Sequence, residues 1–401
     1  IDTMKVLHIC TTDGGGAGLC ALRIHEAMLK QGIDSKVLVL IKKNDRNDVI
    51  RFCYLRRLLW RSINRMLRML HLEITDYNYV TNLNINTGQC FTLPDTIYDV
   101  SQHPLVKDAD VIHLQWVNGF IDYGTFFKKV KKPIIWTQHD ENLFLGIAHY
   151  QRDRHIGGKK EELYYNKKKL YISQASSLGI VFLSKMMYGQ YHDHEMIQGK
   201  KTTTINNSVD YTLFKPTDRH QARRCYGLDD KDIVFVFVAE RIEDTRKGLL
   251  VLVEAVAKLA NPQIKILAVG KRTTDKDYPQ TVAIGPVYDT EKLSAIYSCA
   301  DYFVMPSLQE AFAQTPLEAM ACGTPAIVFP VSGTEELIND VNGVRCDSFT
   351  ASDLEKGIRR AMEMPFNRNA IRKDVIERYS PDKITKQYLI FYSEIANMSR
   401  I

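Results

Sequence analysis

Short, almost wholly apolar runs rich in Val and Ile recur along this chain, separated by stretches of helical periodicity and by turn residues. That alternation restricts the fold more than any other feature. A strand apolar on both faces is covered on both faces, and helices between successive strands generate βαβ units and a parallel sheet. In the first half the runs cover 5–10, 36–41, 111–116, 133–138 and 178–183, with a helix predicted over 18–31 that ends at Gly32. The pattern then begins again, with strands at 233–240, 264–270, 302–307 and 325–330. Helices are predicted between them at 248–260, 291–299 and 315–322, with others at 353–364 and, after Pro381, 382–397. Two doubly wound α/β halves in series are the simplest account. At 401 residues the chain is also too long for one ordinary core. Polar turn residues near 202–216 mark the joint. The domains expected are 1–204 and 205–378, followed by a closing helical segment at 379–401.

Composition narrows the class. Apolar residues make up 45% of the chain and charged ones 25%, as in a globular protein. No run approaches the roughly 18 apolar residues of a membrane span. The strand at 5–10 enters a Gly-rich segment rather than a signal-peptide cleavage site, so a cytoplasmic location is expected. The eight cysteines are widely spaced with no CxxC, which argues against a zinc site or a disulfide framework. The net charge of +6 is modest, but 51–68 reads RFCYLRRLLWRSINRMLR, basic without an acid among Leu, Trp and Met. Two uses fit it: peripheral contact with an anionic membrane, or a solvated helix packed by one face on its own domain. No nucleic-acid motif accompanies the charge, so a nucleic-acid partner is not expected.

The densest chemical signal is 306–343, PSLQEAFAQTPLEAMACGTPAIVFPVSGTEELINDVNG. A strand ends, a loop follows, and a helix begins near Thr315, whose N-terminal amides and positive dipole end suit a phosphate. Glu310 lies in the loop and Glu318 one turn into the helix, so two carboxylates are placed to hold separate hydroxyl-bearing parts of one extended ligand. His139 follows a buried strand at the carboxyl edge where α/β sheets place ligands. Gln115, Trp116 and Asn118 follow another strand end. Two DxD triplets, Asp108–Asp110 and Asp275–Asp277, have no third ligand in view, and no metal is expected. The loop at 14–18, GGGAG, is not GxGxxG and no acid ends the next strand, which disfavours a nicotinamide cofactor.

Segment 306–343 closely resembles the E-x7-E region of glycosyltransferase family 4, retaining enzymes of GT-B fold. The resemblance extends, in the family's order, to VAERIEDTRKGLLVLVEA (238–255), LAVG (267–270), IGPVYDTEKLSAIYSCADYFVMPS (284–307) and INNSVDYTLFKP (205–216). GGGAG (14–18) and WTQHD (136–140) stand where that family keeps its Gly-rich loop and a histidine of the catalytic site. It implies two Rossmann-like domains facing across a cleft, with the final helix returning to the first. It also implies a donor site in which Glu310 holds the sugar hydroxyls, Glu318 the ribose, and the backbone of Ala313, Gln314 and Thr315 the diphosphate.

Lys247 would neutralise the diphosphate together with Arg241. The Arg–Lys spacing is one residue longer than the usual pattern, leaving Arg246 as the alternative, and Ser208 replaces a usual glycine. A departing nucleoside diphosphate needs such cationic or N–H stabilisation, supplied here without a metal. His139 would contact the reacting sugar with Asp140 as its orienter. Gly15 and Gly16 would let backbone approach the donor phosphates or the acceptor, and Gln115, Trp116 and Asn118 would line the acceptor side, although Trp116 equally suits the core. The activity implied is transfer from a nucleoside-diphosphate-sugar, a co-substrate rather than a cofactor, to a glycan or lipid-linked acceptor in surface polysaccharide synthesis. The rival readings are a nucleotide-sugar epimerase and a non-catalytic nucleotide-sugar-binding scaffold.

Overall fold

The computed structural model describes residues 4–53, 57–69 and 75–398. The chain divides into two compact units. One comprises Ile1–Leu183, Tyr188–Ile205 and Thr385–Ile401, and the other Ser184–Met187 and Asn206–Ile384.

The first unit is built on strands β1 (Lys5–Thr12), β2 (Asp34–Ile41), β3 (Val49–Arg51), β4 (Val111–Leu114), β5 (Ile134–Gln138), β6 (Leu178–Phe182) and β7 (Lys201–Thr204). They form one parallel sheet in the order β3-β2-β1-β4-β5-β6-β7. β4, β5 and β6 are buried throughout, which explains their unbroken apolar sequences. β3 and β7 were not expected. β3 has three residues, and β7 reads KTTT, so neither carries an apolar run.

The second unit repeats the plan with β8 (Ile233–Arg241), β9 (Ile264–Lys271), β10 (Thr281–Gly285), β11 (Tyr302–Met305), β12 (Ala326–Val328) and β13 (Gly343–Arg345). The order is β10-β9-β8-β11-β12-β13, again parallel. Its core joins Phe235, Phe237, Ile264, Ile266, Val304 and Ile327 to Leu252, Leu354 and Ile358 of the flanking helices. In each sheet the strand order reverses once, between β1 and β4 and between β8 and β11. The carboxyl ends of those strands border the crevice where such sheets take ligands.

The last helix, Pro381–Met398, completes the first unit from the far end of the chain. Gly179 on β6 admits it: an added Cβ would lie 2.7 Å from Ile395 and 2.8 Å from Phe391. Tyr388 Oη meets Thr137 Oγ1 of β5 at 3.1 Å, and Tyr392 Oη meets His113 Nδ1 of β4 at 2.5 Å.

Of the basic stretch 51–68, residues 54–56 lie outside the described residues, while Arg57–Met69 is a helix. Ile63, Met66 and Met69 on it are 45%, 54% and 74% exposed. No described helix is long and apolar enough to cross a membrane.

Candidate functional site

In the second unit, β8 ends at Arg241 and the chain turns through Asp244 before the helix Leu249–Leu259. Gly248 makes that entry with φ of +81°, and a Cβ there would sit 2.2 Å from the Pro306 carbonyl oxygen. Only glycine suits both demands. The turn is thereby pressed against the loop leaving β11, and the Leu308 N–H donates to the Arg246 carbonyl at 2.8 Å. This contact brings Lys247 to Glu310, and the two form a 2.5 Å ion pair with side chains 22% and 12% exposed. Arg246 joins the same loop through Gln309 O at 3.4 Å and packs beside Asp244. Arg241 is exposed at the end of β8. Of the two candidate arginines, Arg246 is hydrogen-bonded to the Glu310 loop.

The loop from β11 leads into the helix Gln314–Ala321. Its cap residue, Ala313, supplies no side-chain hydrogen bond, and no acid occupies the first turn. Thr315 stands at its second position. Glu318 is buried one turn in, and its carboxylate accepts a 3.1 Å hydrogen bond from Tyr297 Oη. Nothing about Tyr297 in the sequence marked it as the partner of Glu318; only the packing of helix Thr290–Cys299 brings its phenol there.

In the first unit the helix Gly15–Lys30 begins directly after β1, three residues earlier than expected. Gly14 caps it without a side chain, so no Ser, Thr, Asp or Asn announces the start. Gly15 has φ of +72°, and added Cβ atoms at Gly15 and Gly16 would meet nothing within 4 Å. Gly18 differs: a Cβ there would lie 2.4 Å from Thr12 O, so this glycine seats the helix on the strand.

His139 follows β5 and donates from Nε2 to Gln115 Oε1 at 2.7 Å. Burial pushes its imidazole down to about 4, against a smaller opposite effect of Asp140. The ring is therefore neutral near pH 7. With Nε2 as donor, Nδ1 carries the lone pair. Gln115 in turn lies against His113, which is held by Thr137 and Tyr392.

Asp140 does not orient His139. Its carboxylate accepts from Trp116 Nε1 at 2.7 Å, His149 Nδ1 at 2.6 Å and the Asn142 N–H at 3.0 Å. Burial acts to raise the Asp140 carboxyl, but the charge and hydrogen bond of His149, with the other donors, hold it below the usual carboxylate range. His149 is pushed up to about 10: Cys90 and Asp140 together outweigh the lowering effect of its burial.

Trp116 packs against Cys10, Leu22 and Val37 while its indole N–H faces Asp140, so it serves the core and orders the edge at once. Asn118 is engaged internally, its Oδ1 accepting from Tyr123 Oη at 2.9 Å. The Asp108–Asp110 triplet anchors the start of β1, through Lys5 Nζ to Asp108 at 2.9 Å and the Lys5 N–H to Asp110 at 2.9 Å.

Each unit thus has a Rossmann-type sheet, and their reversal points carry a glycine-opened helix start in one and a Lys–Glu pair in the other. This is the GT-B architecture. Residues 218–378 match the family described as Glycosyl transferases group 1. A D-inositol 3-phosphate glycosyltransferase of Geodermatophilus obscurus is 30% identical over 377 residues, covering 87% of this chain and 78% of that protein. A like-named protein of Segniliparus rotundus is 30% identical over 182 residues, 41% of this chain and 40% of that protein. Among solved structures, sucrose-phosphate synthase from Thermosynechococcus elongatus superposes with a TM-score of 0.67 at 18% identity, covering 98% of this chain and 99% of that one. Anabaena HepE in complex with UDP-glucose gives 0.62 at 18% identity, covering 98% and 100%. The chain belongs to the group 1 glycosyltransferases.

Proposed function

We propose that the protein is a retaining, metal-independent transferase that moves a sugar from a nucleoside-diphosphate-sugar to a hydroxyl of a glycan or lipid-linked acceptor. The observation that carries the reading is the Lys247–Glu310 pair, held by Gly248 against the β11 loop. A donor entering there exchanges one ion pair for two better-matched contacts: Glu310 accepts from sugar hydroxyls and Lys247 turns to the diphosphate. The amides at 313–315 and Arg246 or Arg241 share that charge, and Glu318, steadied by Tyr297, accepts from the ribose. The charge that develops on the leaving diphosphate is then met by groups already in place, where electrostatic stabilisation is most effective.

In this reading the departing phosphate oxygen helps deprotonate the acceptor. Neutral His139 contacts the sugar, and the open backbone at Gly15 and Gly16 approaches the donor phosphates or the acceptor. The HepE structures that carry UDP and UDP-glucose support a nucleotide-sugar donor. A cytoplasmic enzyme of surface polysaccharide synthesis, touching the membrane through 51–68, fits the exposed Ile63, Met66 and Met69.

The test is a thermal-shift screen against UDP-, GDP-, ADP- and CMP-sugars, with Glu318→Ala alongside. A shift for one base that disappears in the variant supports the donor site. Millimolar sugar nucleotides that leave the melting temperature unmoved reject it. For the stereochemical outcome, NMR of the product must show the donor's anomeric configuration retained.

A further inference from the structure

The first unit holds a cavity of about 570 Å³ outside the residues assigned above. Its size lies within the roughly 300–1,000 Å³ of small-molecule sites. One face of the helix Asp76–Thr87 forms a wall through Tyr77, Val80, Thr81 and Asn84, spaced i, i+3, i+4 and i+7. The segment 91–98 closes it opposite, with Leu40 at the end of β2 and Gly119 beyond β4. The cavity therefore lies at the carboxyl edge of the sheet.

The polar groups of the lining are already engaged with the protein. Asn84 uses both ends of its amide on the Phe91 backbone, at 2.7 and 3.0 Å. Thr81 donates to Tyr77 O at 2.7 Å and Thr96 to Phe120 O at 3.1 Å. Asp95 is paired with Lys167 at 2.8 Å, and Thr92 is bonded to His149 at 2.8 Å. Among the described residues that line it there is no Lys, Arg or His. What the walls offer a ligand is the apolar surface of Leu40, Val80, Phe91, Leu93 and Ile97. The cations behind the wall, Lys167 and His149, are already paired with Asp95 and Asp140.

Two of its contacts bear on what the cavity could receive. Thr92 leads through His149 and Asp140 to Trp116, beside Gln115 and His139. The wall helix also meets the helix Arg57–Met69, where Thr75 Oγ1 bonds Asn64 Oδ1 at 3.1 Å. That second helix exposes Ile63, Met66 and Met69 beside exposed Arg65, an amphipathic surface of the kind that lies at a membrane boundary, where an amphiphile would be met.

We propose that this cavity receives the hydrocarbon chain of an amphiphilic acceptor, its sugar head directed towards the His139 edge. The inference rests on the transferase reading for the word acceptor, but the cavity's preference for an uncharged chain is independent of it.

Isothermal titration of the full chain tests it, with methyl, hexyl and decyl β-D-maltosides kept below micelle formation and decanoate in parallel. Affinity is expected to rise with chain length, by about tenfold or more from methyl to decyl. Leu93→Trp and Thr81→Trp, which fill the cavity from opposite walls, are each expected to weaken decyl maltoside about tenfold. Glu318→Ala is expected to leave it unchanged. Equal affinity across the maltosides, or filled variants that bind decyl maltoside as the parent does, overturns the proposal. Decanoate bound as tightly as decyl maltoside makes the site one for free fatty acids and equally overturns it. The chain-length series needs no variant, so a misfolded substitution does not blunt the test. Chain-dependent binding together with no response to any sugar nucleotide leaves the cavity standing and removes the transferase chemistry instead.

Discussion

Lys247, Gln115 and Asp140 show what individual positions disclose and withhold. Lys247 is singled out by the family resemblance, which implies a lysine for the diphosphate, and its pairing with Glu310 follows from the meeting of the two loops. Asp140 misleads because neighbours after a strand end point different ways: Asp140 turns to Trp116 and His149, while His139 is held by Gln115 from another strand. No spacing rule in one sequence links positions 115 and 139, or Tyr297 and Glu318. Lys247→Ala is expected to lower kcat/KM by about 10²–10³-fold with the fold retained, measured by nucleotide release.

The histidines give a second prediction. His139, held at about 4 when folded, is depressed below its unfolded value near 6.5, so its contribution is complete above pH 6.5 and lost as pH falls towards 4. His8, held at about 3 by burial, acts in the same direction. His149, raised to about 10, behaves oppositely: its contribution is complete below pH 6.5 and lost as pH rises through 10. Urea unfolding across pH is therefore expected to show His149→Gln costing most below pH 6.5 and progressively less towards pH 10, whereas His139→Gln flattens the acid limb.

At the scale of elements, the apolar strands announce themselves and the polar or three-residue ones do not. β13 has three residues and depends on Gly343, where a Cβ would lie 2.1 Å from Ala326 O, a demand of its neighbour rather than of its own composition. The helix after β1 is read late for a related reason: two glycines that signal a turn in isolation here open a helix. The Gly248 turn is the element on which the proposed donor site depends. Gly248→Ala is expected to destabilise the second unit by roughly 1–3 kcal/mol, from the strained φ and the clash with Pro306, and to abolish the sugar-nucleotide shift. Denaturant midpoints and the thermal-shift screen check the two parts separately.

For the whole molecule, two repeats of the same α/β plan were readable from periodicity alone. The destination of the last helix was not, because its apolar stripe fits many surfaces; only the family resemblance implied where it goes. Phe391, Tyr388, Tyr392 and Ile395 are buried in the first unit by that helix. At about 1.5–3 kcal/mol each they contribute roughly 6–12 kcal/mol, comparable with the whole stability of a domain. A chain ending at Ser380 is expected to lose the first unit's protease resistance while the second remains resistant, as limited proteolysis with peptide mapping will show.

That helix also has a consequence for the order in which the protein is made. Ribosomes deliver residues 4–205 early, yet the side chains that fill the groove at Gly179 and engage His113 emerge only after residues 206–384 have followed. The segment Asn206–Ile384, by contrast, is contiguous and leaves the exit tunnel before them. The later-made unit is thus the first to possess nearly all of its parts. The earlier-made one waits with a hydrophobic seam open until that helix follows, an interval in which a chaperone has a surface to hold.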